Sequence, residues 1–170
     1  MTASPLQTNQ AADIARLSDA TLSDASELAA LYERDYLAWI EATLQRLSQQ
    51  DYEHLDWDNL VEEIADMGRS EKRRIESNLM IVLVHLLKWQ YQPERRSRSW
   101  NASIVEHRIR VKKNLKYSPS LKPFIEEEFL DIYDDAIKIA VAETQLRLET
   151  FPIDCPYTID QVLDDSFLPE

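Results

Sequence analysis

Three side chains in this sequence have the chemistry for proton transfer or anion binding and fall where a helix should face inward: Glu63, His85 and Arg108. His85 stands in the run LMIVLVHLLKW, with Ile81 and Val82 one turn before it and Trp89 one turn after. An imidazole in that setting either bonds to a carbonyl or carboxylate within a core, or acts as a general base or metal ligand. Arg108 lies between Ile104 and Val111 on one helical face. A guanidinium buried there needs a partner, and Glu63 and Glu143 are the candidates. Such a pair is either a network that fixes helix register or a clamp for a phosphate or carboxylate. Glu62 and Glu63 are adjacent, so on a helix they project about 100° apart and cannot easily share a proton or a metal. One is expected inside and one solvated. Asp35 is expected as a partner for a Tyr or Arg, and Cys155, between Asp154 and Pro156, as a small packed residue.

Most motifs that carry catalysis are missing. The sequence has no G-x-S-x-G, phosphate-binding loop, H-E-x-x-H, C-x-x-C or EF-hand loop. None of its three histidines lies three residues after a glutamate, so the Glu-x-x-His pairs of di-iron bundles are absent too. No metal and no cofactor is expected.

The elements that must position these residues are helices. One glycine in 170 residues leaves little material for tight turns, bulges or phosphate cradles, which argues against sheets. Residues 1–22 lack a sustained apolar face and are expected as a mobile tail, with 23–170 forming a single helical domain. Leu28, Leu31, Tyr32, Asp35, Trp39 and Thr43 predict a first helix from Ser23 or Ser26 to about Leu47. Asp56 or Asp58 can cap a second at Trp57, with the apolar series Trp57, Leu60, Val61, Ile64 and Met67. A kink or break is expected at Gly68–Ser70 before the pattern resumes with Ile75, Leu79, Val82, Leu83, Leu86 and Trp89 and stops at Pro93. Ser99 is expected to cap a helix through Leu115, and a long helix should span about Leu121–Leu148. FPIDCPY reads as an extended segment, and Thr158 with Gln161 as a capping box opening a last short helix. The fold class is therefore all-α: an antiparallel bundle of four to five helices with an extended C-terminal strap and a short final helix.

Charge divides the chain into three blocks. The net charge is −12, yet residues 67–122 carry 14 basic and 4 acidic side chains between flanks that are strongly acidic. The basic side chains, Arg69 to Arg74, Arg95 to Arg98 and Arg110 to Lys116, could contact phosphates, or could be satisfied by the acidic helical segments. No stretch approaches the roughly 18 apolar residues of a membrane span, and no basic start followed by an apolar run marks a secretory signal. A cytoplasmic setting without membrane contact is expected.

Four strings taken together carry a resemblance: LYERDYLAWIEATLQRL, LDWDNLVEEIADMGRSEKRRIESNL, HLLKWQYQPERRSRSW and FPIDCPYTIDQVLDDSFLP. Over about Leu31 to Pro169 the sequence resembles the bacterial family named domain of unknown function twenty-nine, known chiefly from photosynthetic bacteria. The matching residues include Trp39, Glu62, Glu63, Gly68, His85, Lys88, Trp89, Ser99, Trp100 and Arg108. The turn Ser48-Gln49-Gln50 departs from the family in lacking a glycine. The resemblance implies a helical fold and no established activity.

Three functions remain open on these grounds. The favoured expectation is a non-enzymatic interaction or assembly module that binds a protein partner or itself. The alternative is an enzyme or ligand binder with an inter-helix pocket in which Arg108 clamps an anion, His85 moves a proton and Glu63 orients one of them. The third is nucleic-acid binding through the basic 67–122 segment, which the overall acidity disfavours.

Overall fold

The computed structural model describes residues 25–170, so the tail expected over 1–22 lies outside the described residues. Among the described residues the fold is all-α, with six α-helices and no strand. They are α1 (Ala25–Arg34), α2 (Tyr36–Gln49), α3 (Trp57–Tyr91), α4 (Arg98–Tyr117), α5 (Leu121–Thr144) and α6 (Ile159–Leu163). Contacts gather the chain into two compact units that divide between Met67 and Gly68.

In the first unit, the single helix expected from Ser23 or Ser26 to Leu47 is two. Asp35 leaves helical geometry (φ −152°, ψ 86°), and its side chain accepts a hydrogen bond from the Ala38 amide at 3.1 Å. A short carboxylate that can satisfy a free amide favours a cap over a helix interior. The unit's small core is Leu28, Leu31 and Trp39, with Tyr32, Ile40 and Leu60 packed against it. Trp39 Nε1 donates to buried Asp56 at 3.1 Å, and Asp56 also takes the Asn59 side chain at 2.7 Å at the start of α3.

Helix α3 is one element of 35 residues, about 52 Å long, with no break at Gly68. Its two halves differ in burial. Ile75, Leu79, Val82, Leu83, Leu86 and Leu87 are fully buried in the core of the second unit. Val61, Ile64 and Met67 are 61%, 60% and 68% exposed, and Trp57 is exposed as well. The apolar pattern is continuous along the helix, whereas its burial is not.

The second unit packs the buried half of α3 with α4 and α5. Ile104 and Val111 of α4, and Ile125, Phe129, Ile132, Ala136 and Ala140 of α5, complete the core. Ser97, two residues earlier than expected, caps α4 through the Trp100 amide at 3.3 Å. Helix α5 stops at Thr144, short of the expected Leu148. The Thr144 hydroxyl turns back to the Ala140 carbonyl at 2.6 Å, and Gln145 adopts a left-handed conformation (φ 63°) that ends the helix. From there the chain runs without α-helix to Thr158, where the expected capping box with Gln161 is present and opens α6.

The turn after α2 has a left-handed residue that is not glycine: Gln50, with φ 61°. A side chain in that region carries a steric cost that glycine escapes, partly offset by glycine's greater freedom when unfolded. The Gln50→Gly substitution should therefore stabilise the first unit by about 0.5–1 kcal/mol, read as a rise in the urea midpoint with unchanged slope.

Candidate functional site

Arg108 is 1% exposed, the largest fully buried side chain among the described residues. It pairs with neither candidate glutamate. Its Nε donates to the Val162 carbonyl at 2.7 Å and one terminal nitrogen donates to the Phe167 carbonyl at 2.9 Å. Burial lowers its pKa while Asp165 and Asp164 oppose that shift, and a guanidinium in this setting stays charged. One turn on, Lys112 pairs with Asp165 at 2.7 Å. Helix α4 thus holds residues 162–167 by two cations spaced i, i+4.

Glu143 is taken instead by Lys88, at 2.5 Å. Lys88 is buried and also lies over the Trp100 ring, 4.5 Å from its centroid. His85, one turn earlier on α3, has its Nδ1 3.0 Å from the Ile81 carbonyl, so Nδ1 carries the proton. His107 Nδ1 meets the Asn78 side-chain oxygen at 2.7 Å, and the Asn78 amide nitrogen is committed to the Arg74 carbonyl at 2.6 Å. Burial is the largest cause lowering the pKa of both histidines, so both are neutral near pH 7. His107 and Asn78 were not singled out in the sequence, and Lys88 entered only among the residues that carry the family resemblance. Lys88 had a signal, as a cation three residues after His85 within an apolar run.

Glu63 belongs to the first unit, and His85 and Arg108 to the second. Glu63 accepts hydrogen bonds from Tyr32 at 2.7 Å and Tyr36 at 2.6 Å. These bonds lower its pKa and push Tyr32 up to about 12. Tyr32, Tyr36 and Trp39 form a set of ring contacts beside it, with centroids 5.0 to 5.8 Å apart. Each of the three expected site residues is therefore engaged by a different partner. Among the described residues no cluster of His, Cys, Asp and Glu could hold a metal ion.

The second unit carries a groove of about 490 Å³ walled by Ile137, Leu148, Phe151, Pro152 and Ile153, with neither His85 nor Arg108 in its lining. Several basic side chains have partners within their own unit: Arg74 with Glu71 at 2.9 Å, Arg110 with Glu106 at 2.5 Å, and Lys72 over the Phe124 ring. No described helix is long and apolar enough to cross a membrane.

The family model described as a domain of unknown function, DUF29, matches residues 31–168. The chain belongs to the DUF29 family. No curated protein and no solved structure matches it.

In this DUF29 chain the polar residues of the second unit hold the fold, and the energetics can be tested. Arg108→Met leaves the Val162 and Phe167 carbonyls without their donor, at an expected cost of about 2–4 kcal/mol. Urea denaturation measures the loss, and amide exchange should accelerate first over residues 159–168. In the first unit, Glu63→Gln removes the carboxylate that suppresses Tyr32 ionisation. Tyrosinate absorbance should then show Tyr32 moving down from about 12 toward its ordinary value of 10.0, and Tyr36, raised by the same carboxylate, moving down with it. The sign follows from linkage. A raised tyrosine pKa gives stability that is intact below pH 10.0 and lost as pH climbs through about 12. The lowered Glu63 pKa gives stability that is intact above its ordinary value of 4.5 and lost as pH falls through the depressed value. Glu63→Gln should flatten both limbs.

Proposed function

We propose that this protein is a non-catalytic interaction module that binds another protein chain through the exposed first half of α3. The observation that carries this reading is the exposure of Val61, Ile64 and Met67 on a helix whose later apolar positions are fully buried. An apolar surface left in water is unfavourable in isolation and becomes favourable when a partner covers it. The inward polar groups support the same reading. Arg108, Lys88 and Glu143 are engaged in holding structure, whereas catalysis needs groups free to change partners. We place the interaction in the cytosol, in keeping with a lone, unpaired cysteine.

The test pairs size exclusion with pull-down of the full chain from an extract of the source cells. The expected result is a complex, with itself or with another protein, that is lost in the Val61→Glu/Ile64→Glu variant while helicity is kept. A lone monomer that captures nothing would sink the reading.

A further inference from the structure

We propose that the groove between α5 and the segment 148–153 is a binding site for a small organic cation, an apolar body carrying an amine. The site shares no residue with the exposed turns of α3 and stands whether or not a partner covers them. Ile137 and Phe151 form its floor, 6% and 4% exposed, and Leu148, Pro152 and Ile153 rise beside them. The chain's own contacts fix its shape. Tyr133 donates to the Pro152 carbonyl at 2.7 Å, and the Tyr91 ring stands edge-on to Phe151 with centroids 5.1 Å apart. The Thr150 and Phe151 amides close a turn on the Arg147 and Leu148 carbonyls, each at 3.0 Å. A groove fixed in this way costs little to order when a ligand enters. Leu148 is 58% and Ile153 92% exposed, so both keep hydrocarbon in water until something covers them.

Size and charge select the occupant. At about 490 Å³ the groove has the volume of a small-ligand pocket, whereas a protein partner needs roughly 800 Å² of surface on each side. Asp135, Arg147 and Asp154, next in sequence to lining residues, are exposed and charged, so the hydrocarbon does not continue outward along them. Three charged side chains enter the lining: Asp134, Lys138 and Glu149. Lys138 is occupied by Asp135 at 2.7 Å, whereas no cation among the described residues pairs with Asp134 or Glu149. Residues 131–154, which supply the whole lining, carry six acidic and two basic side chains, and only Glu143 of the six is taken by a cation from another helix, Lys88. Such a surface draws cations and repels carboxylates and phosphates. Asp134 stands on α5 and Glu149 on the facing segment, so an amine can meet a carboxylate of either element while its hydrocarbon covers Ile137 and Phe151.

Methyl NMR of the full chain, titrated with cyclohexylmethylamine, cyclohexylmethanol and cyclohexanecarboxylate, separates the body from the charge. The expected result is saturable shifts at Ile137, Leu148 and Ile153. The amine should bind roughly two- to fivefold tighter than the alcohol, the range of an exposed ion pair, and the carboxylate weakest of the three. Asp134→Asn/Glu149→Gln should bring the amine down to the affinity of the alcohol and leave the alcohol unchanged. Leu148→Ser/Ile153→Ser should weaken amine and alcohol together; both positions are exposed, so helicity and the urea midpoint should hold. Absence of saturable shifts at these three residues overturns the site. Equal binding of amine and alcohol, tighter binding of the carboxylate, or an amine advantage that survives Asp134→Asn/Glu149→Gln overturns the cationic class. A protein captured by the full chain and released by Leu148→Ser/Ile153→Ser, with no amine bound at the groove, assigns the surface to a protein partner and also overturns the proposal. Loss of capture in the Val61→Glu/Ile64→Glu variant bears on α3 alone, and amine binding should persist in it.

Discussion

A buried guanidinium must be fully served by acceptors, and in the second unit this one requirement organises the C-terminal third of the chain. Arg108 is 1% exposed, and its acceptors are the main-chain carbonyls of Val162 and Phe167. Leaving a charge of that kind unpaired would cost several kcal/mol, so the Val162 and Phe167 carbonyls are held against α4. Other ties bring the chain there. Tyr133 donates to the Pro152 carbonyl at 2.7 Å, Tyr157 donates to Gln90 at 2.5 Å, and the Thr158–Gln161 box starts α6 so that Val162 arrives buried. Burial raises the pKa of both tyrosines, so they remain donors throughout the physiological range.

The same logic explains why a polar interior need not be an active site. Lys88 is neutralised by Glu143 and rests on Trp100, which together offset the removal of an ammonium group from water. His85 and His107 each spend the Nδ1 proton on a fixed acceptor and are held neutral by burial. A reaction would require at least one of these groups to exchange its partner for a substrate. Their partners are local carbonyls, an amide and a carboxylate already in place. What they hold is the register between α3, α4 and α5.

How much of this was legible in the residues depended on whether the signal was local. The near-absence of glycine pointed to the all-α class, and the Thr158–Gln161 and Asp56 caps were readable because a cap and its target lie within four residues. The break at Asp35 was hidden by its own regularity. Leu31, Asp35 and Trp39 keep helical spacing across it, so periodicity alone passes straight through. Arg108 could be seen to need a partner, but its partners are backbone carbonyls 54 and 59 residues away, which no side-chain type announces. Glu63 was recognised as a polar residue beside an apolar series, yet its hydroxyl donors are Tyr32 on α1 and Tyr36 on α2. The exposure of Val61, Ile64 and Met67 was the least legible feature of all. An apolar stripe reads identically whether its cover comes from the same chain or from another.

That ambiguity has an energetic side. Residues 61 to 70 are helical and almost wholly exposed, so this stretch draws its order from propagation between anchored ends rather than from packing. Under those conditions each residue should be chosen for helix propensity and solubility, which favours Ala, Glu, Lys and Gln. Instead the stretch carries two β-branched apolar residues, a methionine and a mid-helix glycine. The β-branched residues and the glycine each lower intrinsic helicity by several tenths to about 1 kcal/mol relative to alanine. The apolar ones also keep hydrocarbon in water at about 25 cal/mol per Å². One such choice would be ordinary on a protein surface. Four within eight positions, all of them exposed, leave the order of this stretch resting on the anchored helical turns at either end.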